Sequence, residues 1–239
     1  MDPFPLYESP GVRDVTGPTI RPGGFDLTMR AVDFCGLPEG AAVLDIGCGL
    51  GATVNFLRTG HGLKAVGLDA SAPLLREGRS AHPAGVLVAG LADRLPFPDG
   101  SFEAVFCECV LSILDDPGAA LAGFQRVLRP GGWLVLTDLC ARRPEGAPAL
   151  SRLPLNSCLR GAGPRTGIVA RVESAGFETA LWEDHSDLLK HLAARLVFEY
   201  GSLRRFWSRF APRAAETEIE CALARARPGY YLMAARKRN

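Results

Sequence analysis

Three glycines at alternate positions follow an acidic residue at the end of an apolar run, and this stretch is suited to binding a small ligand. The run is Val43–Ile46, it contains Asp45, and the glycines are Gly47, Gly49 and Gly51. Glycine is needed where the backbone adopts a positive φ or passes close to a ligand. The predicted helix that follows has free N–H groups at its start, which favour a ligand in the turn. Since the spacing alone also fits dinucleotide-binding folds, other residues must decide which ligand is bound.

Further acidic residues follow the ends of the next predicted strands. Asp69 ends strand two, Asp93 follows strand three, and the pair Glu108-Cys109 follows strand four. Because ligands of an open parallel sheet bind outside the carboxyl ends of its strands, we expect these side chains to surround the glycine turn. Asp69 is placed to accept hydrogen bonds from ribose hydroxyls, and Asp93 from an exocyclic amine. The sequence therefore predicts a nucleoside-binding site.

The ligand at the glycine turn is predicted to carry positive charge. Nicotinamide folds space their glycines as G-x-G-x-x-G, whereas Ala52 occupies the position of the third glycine in this chain. Asp45 stands two residues before Gly47, where its carboxylate would repel a pyrophosphate. A sulfonium compound with an α-amino group fits this environment better than a dinucleotide does.

The alternation of apolar strands with helical patterns predicts the α/β fold that would position these residues. Apolar runs predict seven strands, at 41–46, 63–68, 86–89, 102–107, 133–139, 177–182 and 229–235. Helical spacing predicts helices at 25–37, 52–58, 71–80, 117–128, 166–175, 186–210 with a break near Gly201, and 215–226. A parallel sheet covered by helices on both faces is therefore expected.

Two segments rich in proline and glycine leave alternatives open. Residues 1–30 are either a flexible leader or an ordered arm that folds over the glycine turn and presents Thr19 or Arg21 to the ligand. Residues 141–164 are either a mobile connection or part of a cap over the site.

Composition limits the classes of partner. The chain has 239 residues, 27 basic and 26 acidic side chains and a net charge of +1, so strong attraction to nucleic acid or anionic membranes is not expected. The N-terminal residues lack the pattern of a signal peptide, and no apolar run approaches the length of a membrane span. Seven cysteines without a regular spacing indicate a reduced, cytoplasmic protein with no predicted metal site. A monomer or homodimer is expected.

Taken together, the motifs resemble class I S-adenosylmethionine-dependent methyltransferases. The matching segments lie in order within about residues 25–140: Val43–Gly51, Asp69, Ala92–Phe102 and Leu128–Gly132. The resemblance implies a Rossmann-like, doubly wound seven-stranded sheet whose last strand is antiparallel, with helical additions at the N-terminus and between strands six and seven. It implies S-adenosylmethionine as cofactor. If the ordered N-terminal arm contributes Arg21, the predicted cofactor-binding residues are Arg21, Asp45, Gly47, Cys48, Gly49, Gly51, Asp69, Ala70, Ala92, Asp93 and Glu108.

The resemblance also predicts one domain over residues 1–239, acting on a small molecule. Residues 25–140 would form its cofactor-binding core, and residues 141–165 and 186–226 a substrate cap. Methyl transfer is an in-line displacement that needs alignment and exclusion of water, and a general base only if the acceptor carries a proton. Glu108, Cys109 and Cys158 are the predicted catalytic residues.

Two subfamilies suggest different acceptors. The segment Glu108–Ser112 and the later Cys158 are similar to arsenite methyltransferases, whose thiolates bind trivalent arsenic, a soft centre that favours sulfur. The family's Asn is replaced by Glu108, and its further Cys has no counterpart within Thr16–Gly24. The chain also resembles ubiquinone–menaquinone-type enzymes. A trivalent arsenical and another small molecule both remain possible acceptors.

A second resemblance is to poorly characterised bacterial methyltransferases that share the segments Thr19–Thr28 and Trp182–Ser186. In the second segment, Asp184 or Ser186 is expected to cap the following helix, or else His185 or Asp184 lines the acceptor pocket. Methylation of protein or nucleic acid is an alternative, as is a non-catalytic binding module. The arginines available for a basic patch are Arg204, Arg205, Arg209 and Arg213.

Overall fold

The computed structural model describes residues 5–211 and 216–238 and shows a seven-stranded sheet with helices on both faces. The strands are β1 (Ala42–Ile46), β2 (Lys64–Asp69), β3 (Val86–Ala89), β4 (Phe102–Glu108), β5 (Leu128–Ala141), β6 (Phe177–Asp184) and β7 (Pro228–Lys237). Their order is β3-β2-β1-β4-β5-β7-β6. Strands β1 to β5 pair in parallel, and β7 is antiparallel to both β5 and β6. The predicted Rossmann-like sheet with an antiparallel last strand is confirmed.

Helices lie before, between and after the strands. They are α1 (Pro5–Glu8), α2 (Pro10–Thr16), α3 (Asp26–Cys35), α4 (Ala52–His61), α5 (Ala72–Ala81), α6 (Pro117–Val127), α7 (Ala147–Ser151), α8 (Arg165–Ser174), α9 (Ser186–Tyr200), α10 (Leu203–Trp207) and α11 (Glu216–Ala226). The predicted helical additions at the N-terminus and between β6 and β7 are both present. Residues 1–4, Arg213 and the predicted helix start at residue 215 lie outside the described residues.

Local sequence signals explain where the helices next to the site begin. The Ser71 hydroxyl accepts a hydrogen bond from Leu74 N at 3.2 Å, and Asp116 accepts one from Ala119 N at 2.9 Å. A proline follows each cap within the first turn, where its missing N–H has no cost. Gly201 ends α9 in the left-handed conformation, at the predicted break.

Apolar side chains cover both faces of the sheet. Val43 and Leu44 on β1 point into the clusters on opposite faces, and both are fully buried. The same holds for Ala104 and Val105 on β4. Because the central strands are enclosed on both sides, their sequences are continuously apolar, and polar side chains are confined to the strand ends.

Two predicted boundaries need correction. Strand β5 begins at Leu128 rather than at residue 133, since Leu128 pairs with Phe102 before the register shifts to Trp133 opposite Ala104. Pro130–Gly132 therefore lie within β5, at the irregularity between its two paired parts, instead of separating the strand from the preceding helix. The other correction concerns α8, which ends at Ser174 with Ala175 as its C-cap, ahead of Gly176.

The two proline-rich segments are folded against the rest of the protein. Residues 5–24 form an arm that includes α1 and α2, and its Val12 and Val15 are buried in a cluster with Leu196 of α9 and Phe206 of α10. This favours the ordered arm over the flexible leader. In the later segment, Leu150, Leu153 and Leu155 are buried in the cluster that also covers β1, so residues 141–164 pack against the core.

Gly161 allows the later segment to approach the turn after β4. A Cβ at this position would lie 2.1 Å from the carbonyl oxygen of Ser112. At Gly163 the nearest atom would be Ile168 Cγ1 at 4.0 Å. We expect Gly161→Ala to lower the free energy of unfolding in urea by about 2 kcal/mol or more, because the added methyl group would push against the backbone of Ser112. Gly163→Ala should change it by less than about 0.5 kcal/mol. Equal effects of the two substitutions would contradict this packing.

Candidate active site

The carboxyl ends of β1, β2 and β4 border one cavity with a volume of about 760 Å³. The cavity contains most of the side chains predicted from the sequence, and the N-terminal arm contributes Thr19 to its wall. Of the predicted residues, Gly51 and Cys158 do not line it. The predicted residues that do line it are Arg21, Asp45, Gly47, Cys48, Gly49, Asp69, Ala70, Ala92, Asp93, Glu108 and Cys109.

The glycine turn is held close to β2 and to the residues after β4. The backbone N–H of Gly47 donates to Leu68 O at 2.7 Å. Gly47 has a φ of 69°, and a Cβ there would lie 2.3 Å from Val110 Cγ2. Gly51 also has a positive φ, but a Cβ there would meet Leu87 at 2.8 Å. Gly47 therefore shapes the cavity wall, whereas Gly51 allows α4 to start against β3.

Asp45 places an unpartnered carboxylate oxygen beside the cavity. Its side chain is buried, and Oδ2 has no hydrogen-bond partner among the described residues. Burial raises the pKa of Asp45 well above its usual value, and the negative charge of Glu108 raises it further. Arg21 acts in the opposite direction. A buried carboxylate oxygen without a donor is costly, so this position favours a cationic donor from a ligand.

Asp69 joins the glycine turn to the start of α5. One carboxylate oxygen accepts from Gly49 N and the other from Ser71 N, both at 2.7 Å. Burial raises the pKa of Asp69, and these backbone N–H groups counteract the rise. Since each carboxylate oxygen has a second lone pair, Asp69 can also accept from a pair of ligand hydroxyls.

At the far end of the cavity, Ala92 is buried and the Asp93 side chain is 41% exposed. The Asp93 carboxylate lies 3.9 Å from Arg94 Nε, at the limit of an ion pair. It is thus weakly engaged by the protein and can accept a hydrogen bond from a ligand amine, as the sequence predicted.

Arg21 and Glu108 form a buried ion pair that connects the arm to the end of β4. Arg21 Nη2 lies 3.0 Å from Glu108 Oε2, and the side chains are 8% and 1% exposed. The guanidinium also donates to Thr28 at 2.7 Å and to Thr53 at 3.1 Å. Thr28 in turn donates to Glu108 at 3.1 Å. The Glu108 carboxylate therefore already has partners within the protein. Arg21 affects the cavity mainly by positioning Glu108.

The two predicted catalytic cysteines come from separate segments of the chain. The neighbouring Cys158 thiol and burial raise the pKa of the Cys109 thiol well above its usual value. Cys109 Sγ lies 3.1 Å from Tyr230 Oη, and Cys158 N donates to Tyr7 Oη at 3.0 Å. Cys109 has a φ of 58°, which is unusual for a residue other than glycine. A strained backbone thus holds the Cys109 thiol at the cavity wall.

Sequence reasoning missed Asp138, which fixes the turn after β4. Its carboxylate accepts from Ser112 Oγ at 2.6 Å and from Ser112 N at 3.0 Å. Burial raises the pKa of Asp138 to about 6. An aspartate inside an apolar strand was the available signal. Tyr7 was also missed, because nothing near it in the sequence indicates contact with Cys158.

The segment Trp182–Ser186 serves the start of α9 and does not line the cavity. Asp184 Oδ1 accepts from Ser186 N at 2.8 Å, although His185 is the residue at the N-cap position. Glu183 pairs with Arg30 at 2.7 Å and with His185 at 3.0 Å. The helix-start interpretation therefore accounts for this segment.

Comparison with known proteins agrees with this geometry. The family described as "Methyltransferase domain" matches residues 44–136, which run from β1 into β5 and include the glycine turn. Residues 44–136 therefore form a methyltransferase domain. The demethylmenaquinone methyltransferase of Beutenbergia cavernae is 37% identical over 136 residues, which are 56% of this chain and 55% of that protein. The chain spans about half the length of the relatives it matches.

Solved structures share the fold of the methyltransferase domain over most of the chain. A putative sarcosine dimethylglycine methyltransferase from Galdieria sulphuraria has a TM-score of 0.71 and 19% identity, covering 89% of this chain and 84% of that one. The cyclase SpnF has a TM-score of 0.71 and 24% identity, covering 87% and 80%. Because a cyclase shares the fold, activity must be argued from the site. Within the described ranges, no helix is long and apolar enough to cross a membrane.

The residues of the cavity fit S-adenosylmethionine. The cofactor carries an α-ammonium group and a sulfonium, and the unpartnered oxygen of Asp45 is a suitable acceptor for the former. A ribose diol matches the remaining lone pairs of Asp69, and the adenine amine matches Asp93. Because Val110 packs closely against Gly47, this part of the cavity wall is formed by backbone rather than by a side chain.

Proposed function

We propose that the protein transfers the methyl group of S-adenosylmethionine to a small molecule bound at the Cys109 end of the cavity, here called the acceptor end. The observation that carries the proposal is the buried, unpartnered Oδ2 of Asp45 in the wall of the same cavity. A volume of about 760 Å³ has room for a cofactor and an acceptor together.

The chain's own residues would align the two reactants. Asp45 binds the ammonium group, and Asp69 and Asp93 hold the nucleoside, which fixes the direction of the sulfonium. When bound, the cofactor supplies an electrophilic methyl group. The Arg21–Glu108 pair keeps the end of β4 in place, so that Cys109 and the turn after it form the opposite wall. Alignment and exclusion of water are the main requirements of this displacement.

The N-terminal arm would exclude water by covering the cavity. Tyr7 and Arg13 line it, and Arg13 donates to both oxygens of Glu77 at 3.1 Å. Ser71 Oγ donates to Glu8 at 2.6 Å. These contacts attach the arm to α5, next to the residues proposed for the ribose.

We propose a hydroquinone as the acceptor class, supported by the demethylmenaquinone methyltransferase among the relatives. The test is incubation with S-adenosylmethionine labelled in its methyl group and demethylmenaquinol, followed by mass spectrometry. Formation of the methylated quinone is expected. Binding of the cofactor without transfer to any hydroquinone would contradict this acceptor class but not the cofactor site.

A trivalent arsenical is the second candidate acceptor, favoured by the Cys109 thiol in the cavity wall. Thiol sulfur suits a soft centre, and Cys158 would supply the second thiol. The reduced protein should then bind and methylate arsenite, and a variant with both Cys109→Ser and Cys158→Ser should do neither. Unchanged stoichiometric binding by that variant would exclude this candidate.

Cofactor affinity is expected to fall as pH is lowered. The pKa values of Asp45 and Asp69 are raised chiefly by burial, so protons return to these carboxylates as pH decreases through the raised values. Each proton removes a negative charge that attracts the cationic cofactor. Below the raised pKa we expect affinity to fall by up to about tenfold per pH unit for one such group.

Calorimetry at several pH values, in buffers of different ionisation enthalpy, measures this dependence and the protons released on binding. Methylthioadenosine is the matched control because it lacks the ammonium group that Asp45 would bind. Its affinity should vary less with pH than that of S-adenosylmethionine. The same pH dependence for both ligands would contradict the role of Asp45.

A further inference from the structure

The short helix α1 is bonded to two different sides of the cavity through adjacent residues. Glu8 accepts a hydrogen bond from Ser71 Oγ at 2.6 Å, and Ser71 begins α5 beside the residues proposed for the ribose. Tyr7 Oη accepts a hydrogen bond from the backbone N–H of Cys158 at 3.0 Å. Ser71 and Tyr7 both line the cavity. Helix α1 is therefore fixed across the cavity, and the Tyr7 side chain forms part of the wall.

The bond to Cys158 places Tyr7 near the acceptor end. Two residues after Cys158, Arg160 Nη2 lies 3.3 Å from Asp115 Oδ1, in the connection between β4 and α6. Arg160 and Asp115 also line the cavity. Since that connection starts at Cys109, which defines the acceptor end, Tyr7 lies on the part of the wall that an acceptor would meet.

The Tyr7 hydroxyl is suited to donating a hydrogen bond there. A phenol has one hydrogen in addition to its lone pairs, and the N–H of Cys158 occupies only a lone pair. Burial raises the pKa of Tyr7 well above its usual value, and the nearby Cys158 thiol raises it further, so the hydroxyl keeps its hydrogen at neutral pH. Of the four tyrosines, all within the described residues, Tyr7 is the one that lines the cavity.

We propose that Tyr7 is a specificity residue that donates a hydrogen bond to a hydroxyl oxygen of the hydroquinone acceptor. The acceptor class rests on the proposed function. This bond would fix the orientation of the ring relative to the sulfonium, which is the alignment that methyl transfer requires. An acceptor without an oxygen at this position would lose the bond and bind more weakly.

Calorimetry with naphthohydroquinone, kept reduced under anaerobic conditions, tests this contact. The full chain is titrated both alone and after loading with S-adenosylhomocysteine, which has no methyl group to transfer. Tyr7→Phe keeps the ring and removes only the hydroxyl, and it should weaken hydroquinone binding by about fivefold. Affinity for S-adenosylhomocysteine should change by less than about twofold, because other residues are proposed to hold that ligand.

Tyr200→Phe is the matched control for attachment of the arm. Tyr200 Oη donates to Gly11 O at 2.9 Å, so this hydroxyl also holds the arm, but Tyr200 does not line the cavity. The control substitution should change either affinity by less than about twofold. Equal losses of hydroquinone affinity in the two variants would show that both hydroxyls only hold the arm, and would overturn the proposal.

A second ligand separates the hydrogen bond from a change in the shape of the site. Naphthalene has the same rings without the oxygens, and its own fluorescence reports binding. Its affinity should be the same for the wild-type protein and Tyr7→Phe. A loss of naphthalene affinity equal to that of the hydroquinone would overturn the role of the hydroxyl, as would unchanged hydroquinone binding by Tyr7→Phe.

Failure of this inference is distinguishable from failure of the proposed function. Binding of S-adenosylhomocysteine without any binding of naphthohydroquinone would overturn the role of Tyr7 and leave methyl transfer to another acceptor standing. Binding of the hydroquinone through the Tyr7 hydroxyl, without binding of S-adenosylhomocysteine, would overturn the proposed function while the assignment of Tyr7 stands.

Discussion

Asp45→Asn is expected to weaken binding of S-adenosylmethionine by about 100-fold while making the cofactor-free protein more stable. The affinity falls because a charge-assisted hydrogen bond in a buried site is lost, about 2.7 kcal/mol. Stability rises because the raised pKa of Asp45 shows that the folded state disfavours its charged form. That cost is present above the raised pKa and disappears as pH falls through it. Calorimetry and thermal unfolding at pH of about 8 measure the two effects.

A loss of cofactor affinity together with a gain in stability distinguishes a role in binding from a folding defect. Asp93→Asn is the matched control, since the Asp93 side chain is 41% exposed and weakly paired. It should weaken binding by less than about tenfold and leave stability unchanged, because exposed groups contribute little. A loss of both affinity and stability in Asp45→Asn would contradict the assignment of Oδ2 as a ligand acceptor.

Arg21→Met is expected to destabilise the protein by about 3–5 kcal/mol, because it leaves the buried carboxylate of Glu108 without its counter-charge. Burial raises the pKa of Glu108, and Arg21 is the largest influence that lowers it. Removing Arg21 raises that pKa further above the unfolded value. The destabilisation should therefore be greatest at high pH and shrink as pH falls and Glu108 gains a proton. Urea unfolding at several pH values measures it.

Two further variants test the cause. Arg30→Met removes an ion pair with Glu183 whose partners are 43% and 26% exposed, and it should cost less than about 1 kcal/mol. Adding Glu108→Gln to Arg21→Met should recover part of the lost stability, since a neutral amide is less costly to bury. A double variant less stable than Arg21→Met alone would show that the Glu108 charge is not the source of the cost.

Local sequence patterns predicted which residues at the strand ends meet in the cavity, and their binding of a cofactor stays a prediction. The glycine turn, Asp69 and Asp93 depend on short-range features, namely strand ends and positive-φ positions, that the sequence displays directly. The doubly wound sheet with an antiparallel last strand followed from the alternation of strands and helices together with the family resemblance. The helix caps at Ser71 and Asp116 are local features of the same kind.

Contacts between distant segments were not predictable in this way. Arg21 was expected to face the ligand, but its partner is Glu108, which the fold brings to it across the sheet. Proline and glycine content left open whether residues 141–164 are a mobile connection or part of a cap, and buried leucines attach them to the core. Composition describes local backbone preference, whereas these outcomes depend on tertiary packing.

A structure of the protein bound to S-adenosylhomocysteine tests the central claim most directly. The account predicts that the ligand's ammonium nitrogen lies within about 3 Å of Asp45 Oδ2, with the ribose hydroxyls on Asp69. The sulfur should then point toward the end of the cavity that Cys109 lines. A complex in which the ammonium group binds elsewhere and Asp45 Oδ2 keeps no partner would contradict it.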